Sequence, residues 1–200
     1  LAVKVGLTET EQAQLSELGV YINYNGYGAS VEDLHFHPAD LYQALLKYPD
    51  PFTLINESGS IFWQLKQAYL ADMAKAQSAK VISEKSSVKA VLLADEPWAR
   101  RVSGVFGNDL ANQAPNRAHI VLTLNKVDEE QQSHSASPSD SETACYTVSL
   151  RAPLNNKQGA GDICSQFPTG GGRAAAAGVN ALPVSGLDEF IKHVESYYQL

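Results

Sequence analysis

The sequence predicts an α/β protein: a mixed β-sheet covered by helices, preceded by a long helix and a small, mostly helical N-terminal segment. Two observations carry that reading. Residues 87–200 alternate apolar runs and amphipathic stretches in the order strand, helix, strand, strand, helix, strand, helix, which suits a sheet with helices packed on it. From Ser58 to Glu84 there is no proline and no glycine after Gly59, while Ile61, Phe62, Leu65, Tyr69, Met73 and Ala76 recur at helical spacing.

Taken in order, Thr8 and Glu11 read as a capping box for a first helix over 9–18, with Ala13, Leu15 and Leu18 as its stripe and Gly19 as its stop. The Tyr- and Asn-rich residues 20–30 predict a strand fading into a loop. Pro38 opens a second helix over 38–48, ended by Pro49 and Pro51. The helix over 58–84 would be about 37 Å long, enough to bridge two lobes. Strands are expected at 88–94, 119–127, 143–150 and 176–182. Between them come a helix opened by Pro97, with Trp98, Val102, Val105 and Phe106 facing inward, and a short helix within 159–167. Ser185 and Asp188 are expected to cap a last helix that turns Leu187, Phe190, Ile191 and Val194 to the core.

The composition, 44% apolar and 18% charged over 200 residues, is that of a soluble globular protein, and no apolar run is long enough to span a membrane. A net charge of -7 argues against a general nucleic-acid coat. Five of those charges come from Asp128, Glu129, Glu130, Asp140 and Glu142, in a polar stretch that reads as an exposed hairpin loop, so a basic pocket elsewhere stays open. Cys145 and Cys164 form no metal or disulfide pattern and read as free thiols in a reducing cytoplasm. The chain opens on Leu1 with no signal-peptide pattern, and the missing Met reads as a fragment or a processed chain.

Asp33-x-His35-x-His37-x-x-Asp40 is the one cluster with metal-ligand character, since a strand would turn both imidazoles to one side. The other reading of it is a polar segment leading into a helix whose first turn carries Asp40. His119, His134 and His193 are scattered and have no nucleophile context. Phosphate-loop, nucleophile-elbow, dinucleotide and acyl-CoA fingerprints are all missing, Arg101-Val102-Ser103-Gly104-Val105-Phe106 coming nearest to the last.

The most specific stretch is Thr169-Gly170-Gly171-Gly172-Arg173-Ala174-Ala175-Ala176-Ala177-Gly178. Three glycines let a backbone approach a ligand and turn its N–H groups on an anion, and Arg173 adds a planar fork of donors. A tight turn into a close-packed Ala-rich element is the competing reading. If the strands of 144–151 and 176–182 share a sheet, Arg151 and Arg173 could meet at its edge, a pairing better suited to phosphate than to an isolated carboxylate. Separate pairing of each arginine with a surface acid is the alternative.

Gly170 to Gly178 resembles the GGGHxxAAG signature that closes the DHH-associated C-terminal domain of the DHH phosphoesterases, and Val148-Ser149-Leu150-Arg151 looks like the Ser-x-Arg strand preceding it. The resemblance implies a metal-dependent phosphoesterase in which residues 1–57 are the tail of a catalytic lobe, 58–86 a linker helix and 87–200 the substrate-binding domain. Ser149, Arg151, Gly170, Gly171, Gly172 and Arg173 would then bind substrate phosphate. Two metal ions, usually manganese, would sit in an N-terminal lobe. The implied partner is a phosphate-bearing small molecule or a short single-stranded nucleic acid such as an oligonucleotide, a cyclic dinucleotide or polyphosphate; homodimerisation is left open. The sequence has no Asp-His-His and no Asp-x-Asp preceding one, so these 200 residues alone are expected not to hydrolyse anything. Arg173 stands where the family has His, which exchanges a titratable group for a permanent cation. A non-enzymatic binding module related to the C-terminal domain of alanyl-tRNA synthetases is the alternative, and metal-dependent hydrolysis at His35 and His37 a third reading.

Overall fold

The computed structural model describes residues 6–126 and 144–199. The acidic stretch 128–142 and His134 therefore lie outside the described residues. The chain divides into two units, Leu1–Gln77 with Arg100–Val102, and Ser78–Ala99 with Ser103–Leu200.

The first unit is helical. Helix α1 (Glu9–Tyr24) begins as the sequence predicts: Glu11 N–H donates to Thr8 Oγ1 (3.2 Å) and Thr8 N–H to the Glu11 carboxylate (2.7 Å), completing the capping box. It does not stop at Gly19, and no strand forms over 20–30. Leu18, Tyr21 and Tyr24 fall on one helical face and are buried, which outweighs the roughly 1 kcal/mol that glycine costs within a helix. A 3-10 turn at Val31–Asp33 leads to α2 (Pro38–Leu45). Pro51 does not only end the preceding pattern: with Asp50 accepting from Phe52 N–H (3.1 Å), it starts α3 (Pro51–Asn56). Helix α4 (Ile61–Gln77) turns Phe62 and Leu65 into a core shared with Leu18, Tyr21, Leu54 and Ile55.

The helix expected over 58–84 is shorter, 17 residues or about 26 Å. Lys80–Glu84 instead forms β1, paired antiparallel with β2 (Val88–Leu93). Val81 and Ile82 are β-branched, and Ile82 packs on the core of the second unit, so tertiary pairing overrides the helical continuation.

The second unit is built on a six-stranded sheet ordered β1-β2-β3-β4-β6-β5, with β3 at Ala118–Lys126, β4 at Ala144–Arg151, β5 at Gly170–Arg173 and β6 at Ala176–Pro183. Strands β2 and β3 are parallel and joined through α5 (Pro97–Gln113); every other pair is antiparallel. This is the expected mixed sheet covered by helices. One face is apolar: Ala90, Ile120, Leu122, Val148, Leu150 and Val179 pack with Ile163 of α6 (Ala160–Cys164) and with Phe190 and Val194 of α7 (Leu187–Tyr198). Ser185 does not cap α7; a 3-10 turn at Val184–Gly186 runs straight into it. On the opposite face, Gly107 of α5 lies close over Val121 and Arg151, within 3.6 Å of where its Cβ would be. Both cysteines are free thiols, and burial pushes Cys164 up to about 11. Among the described residues no helix is long and apolar enough to cross a membrane.

Phe190 is fully buried and stacks edge-on against Phe167. Phe190→Ala is expected to lower the stability of the second unit by about 3–5 kcal/mol, read from the shift of its urea unfolding midpoint.

Candidate functional site

The triple glycine is an edge strand, not the loop the sequence suggested. Strand β5 pairs with β6 in the register Gly171↔Gly178, Gly172↔Ala177 and Arg173↔Ala176, around the two-residue turn Ala174–Ala175. Successive amides along a strand point to opposite sides, so the three glycine N–H groups do not converge on one point. The Asn180 N–H to Thr169 carbonyl bond (3.2 Å) sets the pairing parity. Gly171 and Arg173 face β6, while Gly170 and Gly172 turn their amides outward; the Gly170 N–H is taken by Phe167 O (2.9 Å).

Two of these glycines answer to packing. A Cβ on Gly170 would lie 1.8 Å from the Cys164 carbonyl oxygen, and one on Gly172 2.5 Å from the Ala177 Cα, with φ at 145°. Gly161 of α6 likewise has the Gly172 oxygen 2.9 Å from its Cβ position. Gly171 differs, because a Cβ there meets nothing within 4 Å. Packing therefore does not require glycine at 171.

Pairing of β4 with β6 aligns Ser149 with Gly178 and Arg151 with Ala176. One cross-strand row therefore runs Arg151, Ala176, Arg173, and the next runs Ser149, Gly178, Gly171. All six residues lie on the face opposite the apolar core. The two arginines are two strands apart, roughly 10 Å, with Ala176 between them and the row of Ser149, Gly178 and Gly171 alongside. The sheet thus brings the predicted residues together, except that Gly170 and Gly172 belong to the α6 contact.

Arg151 is already extensively bonded. Its Nε donates to Asn108 Oδ1 (2.6 Å), Nη1 to Ser149 Oγ (3.0 Å) and to Leu150 O (3.2 Å), and Nη2 to Gly104 O (3.0 Å). The guanidinium is held rigidly against α5, so it acts as a fixed charge more than as an open fork. Arg173 is exposed near the hairpin turn. The turn itself is fixed, since Ala174 O accepts from Ala160 N–H (2.9 Å) and Ala175 O from Ala152 N–H (3.0 Å). Beside it opens a cleft of about 390 Å³ lined by Asn108, Asn112, Arg151, Leu154, Lys157 and Ala176, among others. Sequence reasoning missed Asn108, Asn112 and Lys157. The i, i+4 spacing of the two asparagines on α5 was the available signal.

The Asp33–Asp40 cluster is divided among three local tasks, all in the first unit. Asp33 takes a bidentate pair from Arg100 Nε and Nη2 (both 2.8 Å), which holds its carboxyl below the usual range. His37 caps α2, its Nδ1 accepting from Ala39 N–H (3.2 Å). His35 Nε2 lies 2.8 Å from Tyr24 Oη, and the Tyr24 hydroxyl donates to Asp72. Arg101 Nε donates to Asp72 as well (2.9 Å). Burial, then the Arg101 charge, keep His35 below its ordinary value. Among the described residues no three His, Cys, Asp or Glu side chains are grouped as metal ligands. These carboxylates are engaged with arginines, so the donors do not fit a two-metal centre, and the hydrolytic reading of His35 and His37 finds no support in their geometry.

No family model and no curated protein matches the sequence. Among solved structures, the pGpG-specific phosphodiesterase PggH of Vibrio cholerae superposes on 82% of the chain with a TM-score of 0.50 and 10% identity. The chain has a DHH-type fold. The DHH domain of a protein assigned to a family of ribosomal proteins matches 98% of the chain with a TM-score of 0.48 and 12% identity. This chain spans about half the length of each of these proteins, 52% and 44%. Within the DHH-type fold the Gly170–Gly178 stretch is the β5–β6 hairpin.

Gly170→Ala is expected to destabilise by about 1–3 kcal/mol through the clash with the Cys164 carbonyl, whereas Gly171→Ala stays within about 0.5 kcal/mol of the parent; thermal melts of the two variants check this. A pH effect is also expected. His119, 1% exposed, donates Nε2–H to Ala114 O (3.1 Å), and its pKa is lowered first by burial and also by Arg117 and Lys89. The unfolded chain therefore takes up its proton first, near 6.5, so the His119 contribution is complete above that pH and is lost as the pH falls below it. Urea midpoints at pH 7.5 and 5.5 are expected to differ less in His119→Gln than in the parent.

Proposed function

We propose that this chain is the substrate-holding region of a phosphoester-cleaving protein. It would seat a phosphate on the bare floor of Gly171 and Gly178, between Arg151 with its Ser149 partner and Arg173. The observation that carries this reading is the cross-strand register that sets the two arginines on either side of Ala176, with Ser149, Gly178 and Gly171 in the adjoining row and the Cβ position of Gly171 open. A phosphate there lies directly on backbone, flanked by one fixed and one adaptable guanidinium. Arg173 keeps its charge at all working pH values, so this position binds and does not transfer protons.

Cleavage of the phosphoester would draw on residues other than these. The manganese pair implied by the family resemblance would have its ligands outside the described residues. Short or small substrates suit the site better than long polymers, since its cations are few and the net charge is negative. The compound for which PggH is named, pGpG, is a reasonable first ligand to try.

Titration calorimetry with pGpG and with inorganic phosphate tests the proposal. Arg173→Ala, at an exposed site, is expected to weaken both ligands by about tenfold or more, as for loss of a charge-assisted hydrogen bond. Gly171→Val should block binding while leaving the melting temperature close to that of the parent. Parent-like affinity in both variants would rule the site out.

A further inference from the structure

We infer that Ser87, Arg117 and His119 enclose a second anion site, separate from the phosphate face, which takes up a chloride ion together with a proton on His119 Nδ1. It lies where the parallel strands β2 and β3 begin, within the second unit.

Among the described residues, three buried side-chain polar atoms have no hydrogen-bond partner: Ser87 Oγ, Arg117 Nε and His119 Nδ1. Groups of this kind are rare in folded proteins, and each calls for something that completes it. All three belong to one place. Ser87 and Arg117 directly precede β2 and β3 and are tied by the Ala118 N–H to Ser87 O bond (2.9 Å), and in the ladder Lys89 lies opposite His119. Strand alternation puts Ser87 and Lys89 on one face, and Arg117 and His119 on the same face of the neighbouring strand. Arg117 Nη2 and Lys89 Nζ converge on Glu84 Oε1, at 3.0 and 3.3 Å, so both cations reach over this end of the sheet. Ser87 and His119 are 7% and 1% exposed.

The unpartnered atoms suit an anion. Arg117 Nε–H can only donate, and the Ser87 hydroxyl can donate. His119 Nε2–H is spent on Ala114 O (3.1 Å), so Nδ1 is the bare nitrogen, and a proton there makes it a third donor. Arg117 and Lys89 outnumber the one carboxylate between them, Glu84. On β4, Arg151 lies opposite His119 but its guanidinium is engaged by Gly104 O and Asn108 of α5; Asp109 of α5 is held by Gln113 (2.8 Å). Burial, then the Arg117 and Lys89 charges, keep His119 neutral below its ordinary range. An anion among these groups offsets both cations, so ion and proton favour each other's binding. Because the three atoms are buried, the enclosure suits a single-atom halide, whereas a phosphate has four oxygens to accommodate.

The test follows the His119 imidazole resonance by NMR in the full chain, assigned by its loss in His119→Gln. Titrations are run at about 10 and about 300 mM chloride, with gluconate holding the ionic strength constant. Chloride should raise the His119 midpoint by about 0.5 in pH or more, as for an ion that binds the protonated form several-fold more tightly than the neutral one. Ser87→Ala removes one donor together with a hydroxyl that has no partner, so it should fold like the parent and lose most of that rise. A midpoint indifferent to chloride, the result expected if a water molecule completes these groups, would overturn the inference. So would a chloride response preserved in Ser87→Ala.

Discussion

The second unit depends on one backbone-on-backbone contact, that of α6 with the edge strand β5. Gly170 and Gly172 bring β5 so close to Cys164 and Ala177 that a methyl group has no room, and Gly161 returns the contact from α6. Strand β5 has only four residues and a single neighbour in the sheet. A short edge strand of glycines has little side-chain burial of its own and the highest entropy to lose on ordering. Close packing against α6, and the two turn carbonyls bound by Ala160 and Ala152, provide what its side chains cannot. The same contact holds Arg173 at the end of the hairpin.

Arginines organise the polar interior in both units. Arg151 joins β4 to α5 through Gly104 O and Asn108, and Arg101 joins Asp72 and Tyr24 within the first unit. A buried ion pair such as Arg101–Asp72 adds little net stability, because desolvation offsets most of the attraction, but it tolerates few other arrangements. Its value here lies in geometry. A guanidinium with most of its donors already engaged keeps its charge in one place.

Local signals in the sequence were dependable where the backbone itself makes the choice. The Thr8–Glu11 box, Pro38 and Pro97 as first helical residues, and the apolar strands near 88–94 and 119–127 stand where they were expected. Gly19 misled because three buried residues on one face carried α1 past it. Residues 80–84 misled in the other direction, since their partner β2 lies beyond the local window. The Asp33, His35 and His37 spacing implied a shared face, yet the chain there is a 3-10 turn and an extended cap, which sends each side chain to a different neighbour.

By itself the sequence determined the α/β class and most of the helix starts and sheet strands, and it singled out Ser149, Arg151, Gly170, Gly171, Gly172 and Arg173 as candidates for an anion site. Side-chain period, capping chemistry and the conformational freedom of glycine are all local properties, so they can be read without a partner. Only the tertiary structure decided that the glycines form an edge strand, that two of the three serve α6, that Arg151 is braced by α5, and that Asn112 and Lys157 share a cleft with it. Each of those facts depends on strand order and register, which bring together residues that are tens of positions apart along the chain.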